Sequence, residues 1–176
     1  LARGNAPGDV LHVDALIFPK DTVDFDGNWG LLHFTDGWCD FTSGALFKSK
    51  LNFASILADV CNLYKSLGYT VKQIHTDKEA VLVGDKSAFS QECKSRGIRI
   101  THSPAEEHAA NGIAENWTSK VQAMTTAGMH RACLDNRFIG FALMHFMAVY
   151  NLCPRRRLSG QTPYYVFYRT RPTLKY

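Results

Sequence analysis

The sequence has no C-x-x-C pair, and its five cysteines (Cys39, Cys61, Cys93, Cys133 and Cys153) are odd in number and far apart. That spacing argues against a disulfide framework and a thiolate zinc site, and it suits a reducing compartment. Seven histidines are scattered as well, never two at i, i+4 on one helical stretch with a third ligand close by, so the zinc-protease type of helix is missing. No apolar run is long enough to span a bilayer, because the best candidate, "FIGFALMHFMAVYNL", is short and broken by His145. The amino end lacks a basic-then-apolar signal pattern. The expectation is a soluble, non-exported protein with no membrane partner. Internal repeats and low-complexity tracts are absent, and the net charge of +4 is modest for a nucleic-acid binder.

What is present is a chain of 176 residues, 45% hydrophobic, enough to bury a core in one domain of ordinary size. "DVLHVDALIF" sets His12, Asp14 and Leu16 against Leu11, Val13, Ala15 and Ile17, the period of two that marks a strand. "WGLLHFTD" and "TSGALFKS" read as two further strands of an antiparallel meander. Apolar positions at Phe53, Leu57, Val60, Tyr64 and Leu67 predict a helix over 51–67, ended by Gly68 in the left-handed conformation. "YTVKQIHTD" returns as a strand closing at Asp77. "DKSAFSQECKSRG" predicts a short helix from an Asp85 cap to Gly97, and "IRITHS" another strand.

"PAEEHAANG" has neither period and reads as a mobile loop. The following helix runs to about Arg131, with Ile113, Trp117, Val121 and Met124 as its buried stripe and Glu115, Ser119 and Gln122 on the other side. A helix after an Asp135 cap offers Phe138, Phe141, His145 and Ala148 or Met144 as a broad apolar side, and Thr162 with Pro163 opens a last helix. Strands followed by alternating helices and strands describe an α/β layered domain with a partly antiparallel sheet. Basic residues gather near the carboxyl end, where "CPRRRL" places Arg155, Arg156 and Arg157 together ahead of Arg169, Arg171 and Lys175. Such a cluster can meet phosphates or serve as a short nuclear address, and a solvated loop accounts for it equally well.

Three acids stand out by position. Asp is disfavoured inside strands, so Asp14 between Val13 and Ala15 is an anomaly, unless it lies on the wet face of an edge strand. Asp77 ends a strand, and the carboxyl ends of strands in α/β sheets open onto ligand crevices. Glu115, read alone, is a solvated acid favoured by the dipole at a helix start. If the three converge they form an all-oxygen, self-repelling cluster that a cation would relieve. Hard oxygen ligands select Mg²⁺ or Mn²⁺, and a pair of such ions can stabilise the attacking and leaving oxygens of a phosphodiester displacement.

"LHVDA", "IHTDKE" and "HAANGIAEN", in this order and spacing, resemble the D, D, E signature of retroviral and retrotransposon integrase cores. The copia-type retrotransposon branch is the nearest resemblance. "GIRITHSPAEEHAANGIAENWTSKVQAM" resembles that branch from the strand through the loop to the catalytic helix. "RFIGFALMHFMAVYNLCPRRRLSGQTPYYVFYRTRPTLKY" resembles its continuation, with an Asn-x-x-Pro and a Thr-Pro turn. The likeness covers nearly the whole chain from about Gly8, and thirty-seven residues separate Asp77 from Glu115. Departures are Lys78, Glu79 and Ala80 after the second acid, Ala109 and Ala110 before Asn111-Gly112, and Asn116 and Trp117 after the glutamate.

The resemblance implies an RNase H-like fold, a central mixed five-stranded sheet flanked by helices, as one catalytic core domain over 1–176. Within it, about 8–131 carry the signature and 132–176 the carboxyl-terminal helices. It implies that Asp14, Asp77 and Glu115 hold two Mg²⁺ or Mn²⁺ ions and catalyse joining of retroelement 3′-hydroxyl ends to target DNA, with nicking of those ends beforehand. Asn111, Ser119, Lys120 and Gln122 are candidate DNA contacts. A homodimer or larger assembly on DNA is expected, acting in the nucleus and carried in virus-like particles beforehand. With neither an amino-terminal His/Cys zinc module nor a long basic tail, the chain reads as an excised core. Two rival classes are a domesticated, non-catalytic DNA-binding module of the same fold and another RNase H-like nuclease or transposase.

Overall fold

The computed structural model describes residues 3–76, 84, 87–102 and 112–173. Three strands, β1 (Leu11–Ile17), β2 (Gly30–Asp36) and β3 (Thr42–Phe47), form an antiparallel meander. The chain then crosses through α1 (Phe53–Ser66) to β4 (Gln73–Thr76), and through α2 (Ala88–Ser95) to β5 (Arg99–His102). β4 lies parallel to β1 and β5 parallel to β4, giving the order β3-β2-β1-β4-β5 in one mixed sheet. Two long helices, α3 (Gly112–Arg131) and α4 (Ile139–Leu152), and the short α5 (Pro163–Tyr168) follow.

Period-two alternation distributes the strand residues between two cores. Leu11, Val13, Leu32 and Phe34 pack with Phe53, Leu57 and Tyr64 of α1 and Phe89 of α2 on one face. Leu16 and Leu31 pack on the other with Trp117 and Val121 of α3 and Leu143 and Met147 of α4. The sheet is therefore covered on both sides, and Asp14, in phase with Leu16, belongs to the face covered by α3. Gly128 lets Phe146 of α4 come against the α3 backbone, since a Cβ there would collide with the phenyl ring. Among the described residues no helix is long and apolar enough to cross a membrane.

Local signals account for most element ends. Ser49 caps a 3₁₀ turn at Lys50–Asn52 that leads into α1, and Gly68 (φ 79°) leaves the helix in the left-handed region. Asp135 accepts from the Arg137 amide at the turn before α4, and Thr162 accepts from the Tyr165 amide at the start of α5. The cap of α2 is Ser87, which accepts from the Ser90 amide. The expected cap, Asp85, lies outside the described residues, as do Asp77, Asn111 and most of the expected loop. Gly112, placed in that loop by the sequence, is the first residue of α3.

Two expected faces are corrected. On α3 the buried stripe runs Ile113, Trp117, Val121, Thr125 and Met129, while Met124 is half-buried. On α4 the buried residues are Gly140, Ala142, Leu143, Met147, Tyr150 and Asn151. The side expected to be buried there turns outward, with Phe141 55% exposed and His145 and Ala148 exposed. α4 is apolar nearly all round, so its sequence carries little angular information, and the fit against α3 and β3 decides which side is covered.

Candidate active site

Asp14 sits near the middle of β1, between antiparallel β2 and parallel β4. Its cross-strand partner on β2 is His33, so the two side chains share the face covered by α3. The Asp14 side chain keeps 30% of its surface exposed, whereas the His33 side chain has none. From above, Thr118 of α3 donates its hydroxyl to Asp14 Oδ2 at 3.0 Å, and the Ala15 amide donates to Oδ1 at 2.8 Å. His33 Nε2 lies 2.9 Å from the same threonine oxygen.

These distances fix the proton arrangement. With the Thr118 proton given to Asp14, the threonine oxygen accepts from His33, which requires the proton on Nε2. Burial pushes His33 down to about 3, so the ring is neutral. The 3.9 Å approach of Nε2 to Asp14 Oδ2 is therefore not an ion pair. His33 Nδ1 is buried with no hydrogen-bond partner among the described residues, as expected for the unprotonated nitrogen of this tautomer. Trp117 packs against the imidazole with ring centroids 3.9 Å apart. A directed chain, His33 to Thr118 to Asp14, thus orients the carboxylate while leaving it open to solvent.

Glu115 is exposed in the first turn of α3, three residues before Thr118. Residues three apart on a helix are neighbours on its surface. The threonine that holds Asp14 is thus the near neighbour of Glu115, and the carboxylates of β1 and α3 flank one contact. Ser119, Lys120 and Gln122 are exposed on the same helix.

The described part of β4 ends at Thr76, whose partner in the parallel register is Val13. Asp77, the next residue in the chain, lies outside the described residues. Among those residues no three His, Cys, Asp or Glu side chains are gathered as a metal site. Asp14 and Glu115 are nonetheless suited to a hard divalent cation: both offer carboxylate oxygens, Asp14 is oriented and solvent-accessible, and its histidine neighbour spends its one proton on Thr118.

His33 and Thr118 are the site residues that sequence reading misses. The only signal for His33 is its phase in β2. For Thr118 it is the three-residue interval after Glu115.

No family model matches the chain, and no curated protein matches it. Solved structures do. The whole of this chain matches 60% of a chain in the cryo-EM structure of the simian T-cell lymphotropic virus intasome in complex with PP2A regulatory subunit B56 gamma, with TM-score 0.73 and 17% identity. A match to the magnesium-bound HTLV-2 integrase catalytic core domain in its trimeric form covers 94% of this chain and 99% of that one, with TM-score 0.67 and 16% identity. The chain has the fold of a retroviral integrase catalytic core. The dimeric form of the HTLV-2 core matches equally well. The BIV integrase catalytic core matches over 92% of this chain and 95% of its own, with TM-score 0.61 and 17% identity. The mixed sheet flanked by helices is thus the RNase H-like arrangement of integrase cores, and the chain spans less than two thirds of the simian viral chain.

Proposed function

We propose that the chain is an integrase catalytic core of a copia-type retroelement, one domain over its 176 residues, which joins 3′-hydroxyl ends of element DNA to target DNA. The observation that carries this reading is the coupling of Asp14 on β1 to α3 through Thr118, one helical turn from Glu115. It is supported by the integrase-core fold and by the position of Asp77 in the chain, directly after the residue that pairs with Val13.

Asp14, Asp77 and Glu115 are the proposed ligands of two Mg²⁺ or Mn²⁺ ions. Bound there, the cations would supply Lewis-acid activation of the attacking hydroxyl and charge stabilisation at phosphorus. Asp14 presents its carboxylate in an orientation set by Thr118 and the Ala15 amide. The 3′-oxygen of the element end forms a new bond to the target phosphorus as the target's own P–O3′ bond breaks, so one phosphodiester replaces another without an external energy source. The same site nicks element ends when water is the nucleophile. Exposed Ser119, Lys120 and Gln122, with Asn111, meet the DNA backbone, and assembly on paired ends uses a homodimer or larger complex in the nucleus. The HTLV-2 neighbours, in complex with magnesium in dimeric and trimeric forms, and the simian intasome support metal use and assembly.

The test is a strand-joining assay with an element-end oligonucleotide in Mn²⁺, beside Mn²⁺ binding measured by paramagnetic relaxation. Asp77→Asn and Glu115→Gln should each abolish joining and weaken Mn²⁺ binding. Joining by Asp77→Asn at the parental rate would sink the assignment. Cleavage of DNA without joining would redirect it to a hydrolytic nuclease.

A further inference from the structure

The Arg155–Arg157 cluster is not used by the chemistry at Asp14 and Glu115. It folds into a 3₁₀ turn, Arg156–Leu158, directly after α4, and this turn faces the amino-terminal part of α3 across a polar cleft of about 270 Å³. Among the described residues, Arg3, Lys120, Arg155, Arg156 and Arg157 line that cleft against a single carboxylate, Asp40. Arg157 spans Asp40 and the Trp38 carbonyl, at 2.8 Å and 2.7 Å, and Arg3 lies 3.5 Å from the same carboxylate. Asp40 is therefore already shared between two guanidinium groups.

The other cations keep open valences. The Arg155 guanidinium lies over the Tyr150 ring, 3.7 Å from its centroid, and donates from Nη2 to the Tyr150 carbonyl at 3.1 Å. Its Nε is buried with no hydrogen-bond partner among the described residues. Arg156 and Lys120 are exposed, and no carboxylate among the described residues pairs with either. Asn116 adds an amide to the same wall.

We propose that this cleft binds a backbone phosphate of DNA, one flanking the phosphate that reacts at Asp14 and Glu115. The proposal rests on the integrase reading above and adds a place where the strand is held. Stepping about 100° per residue along α3, Ser119 lies about 40° and Asn116 about 100° from Glu115, on the side away from Thr118. A strand crossing the exposed surface of the first two turns would pass from the carboxylates over Ser119 into the cleft. A polyanion suits the walls, since among the described residues five cations face one acid, and guanidinium forks match phosphate oxygens. The diester is favoured over an acidic peptide because the carboxylates at the start of the same helix are the proposed place of phosphodiester chemistry, and because guanidinium forks match the paired oxygens of successive phosphates.

The experiment measures binding of a fluorescent DNA duplex by the full chain in EDTA over a KCl series, so that no metal-dependent step contributes. Arg156→Ala and Lys120→Ala are compared with Lys20→Ala, an exposed lysine outside the cleft. Each cleft substitution should lower the slope of log K against log salt by about one, while Lys20→Ala leaves it unchanged. Unchanged slopes for both cleft variants, no DNA binding by the parent chain, or an equal fall with Lys20→Ala would each overturn the proposal. Displacement of the duplex by polyaspartate at lower charge concentration than by unlabelled DNA would overturn it in favour of an acidic protein partner. A failed joining assay with intact salt slopes would instead condemn the catalytic reading and leave the cleft standing as a DNA site.

Discussion

Two aspartates on neighbouring strands have opposite fates. Asp36 ends β2 on the face covered by α1 and is wholly buried. Its carboxylate accepts from the Gly8, Trp38 and Cys39 amides at 2.7, 2.9 and 3.0 Å and from the Tyr64 hydroxyl at 3.2 Å. Asp14 on β1 lies on the face covered by α3, keeps 30% of its side chain open and accepts two hydrogen bonds. Donors around Asp36 fill its lone pairs and tie together the amino-terminal segment, the β2–β3 turn and α1. Around Asp14 they orient the group and leave oxygen capacity for a ligand. Saturation marks a carboxylate that holds structure, and an oriented but unfilled one keeps the capacity to take a further ligand.

The comparison breaks most decisively by exchanging the two residues' roles in stability and binding. Asp36→Ala should strand several buried donors and cost about 3 kcal/mol or more in urea unfolding. Asp14→Asn retains the side-chain shape and should shift unfolding by less than about 1 kcal/mol while removing Mn²⁺ binding. A large loss of stability from Asp14→Asn, with metal binding kept, would reverse the roles.

A finer cut separates orientation from ligation. Thr118→Val preserves volume but removes the hydroxyl linking His33 to Asp14. Partners that orient metal ligands are worth about tenfold or more in metal affinity. Mn²⁺ affinity should fall by about that factor, and Thr118→Ser should restore it. Valine binding Mn²⁺ like the parent would show that Asp14 needs no orientation from α3.

Much of this arrangement is legible in the sequence, and what is hidden has definite physical causes. The alternation of "LHVDALI" fixes both the strand and the side on which Asp14 lies. Caps at Asp135 and Thr162 are local events between residues two or three apart, and they are read directly. Thr118 and His33 acquire their roles from partners 104 and 85 residues away, which no local pattern encodes. Met124 loses its place to Thr125 because the stripe from Trp117 and Val121 continues at four-residue steps under α4. The outward side of α4 is hidden for a different reason: a helix apolar all round has no preferred direction until its neighbours are in place. The cleft at Arg155 depends on Asp40, Tyr150 and Lys120 from three separate elements, so the sequence shows its charge and not its shape.

The smallest effect concerns His33 and follows from burial. Its folded-state value is pushed down to about 3 by desolvation, while an unfolded histidine titrates near 6.5. Above about pH 7 both states are neutral there and His33 contributes no pH dependence. As pH falls below about 6.5 the unfolded chain takes up a proton that the folded ring refuses, so stability declines until about pH 3, by up to about 1.4 kcal/mol per pH unit. Between pH 7 and 5.5, unfolding in urea with EDTA present should therefore show a loss of about 1 kcal/mol. His33→Gln, which can still donate toward Thr118 without titrating, should remove that part of the decline. If the substituted chain loses as much stability over the same interval, the proton is taken up elsewhere. The imidazole would then no longer serve as the neutral donor that sets the direction of the bond from Thr118 to Asp14.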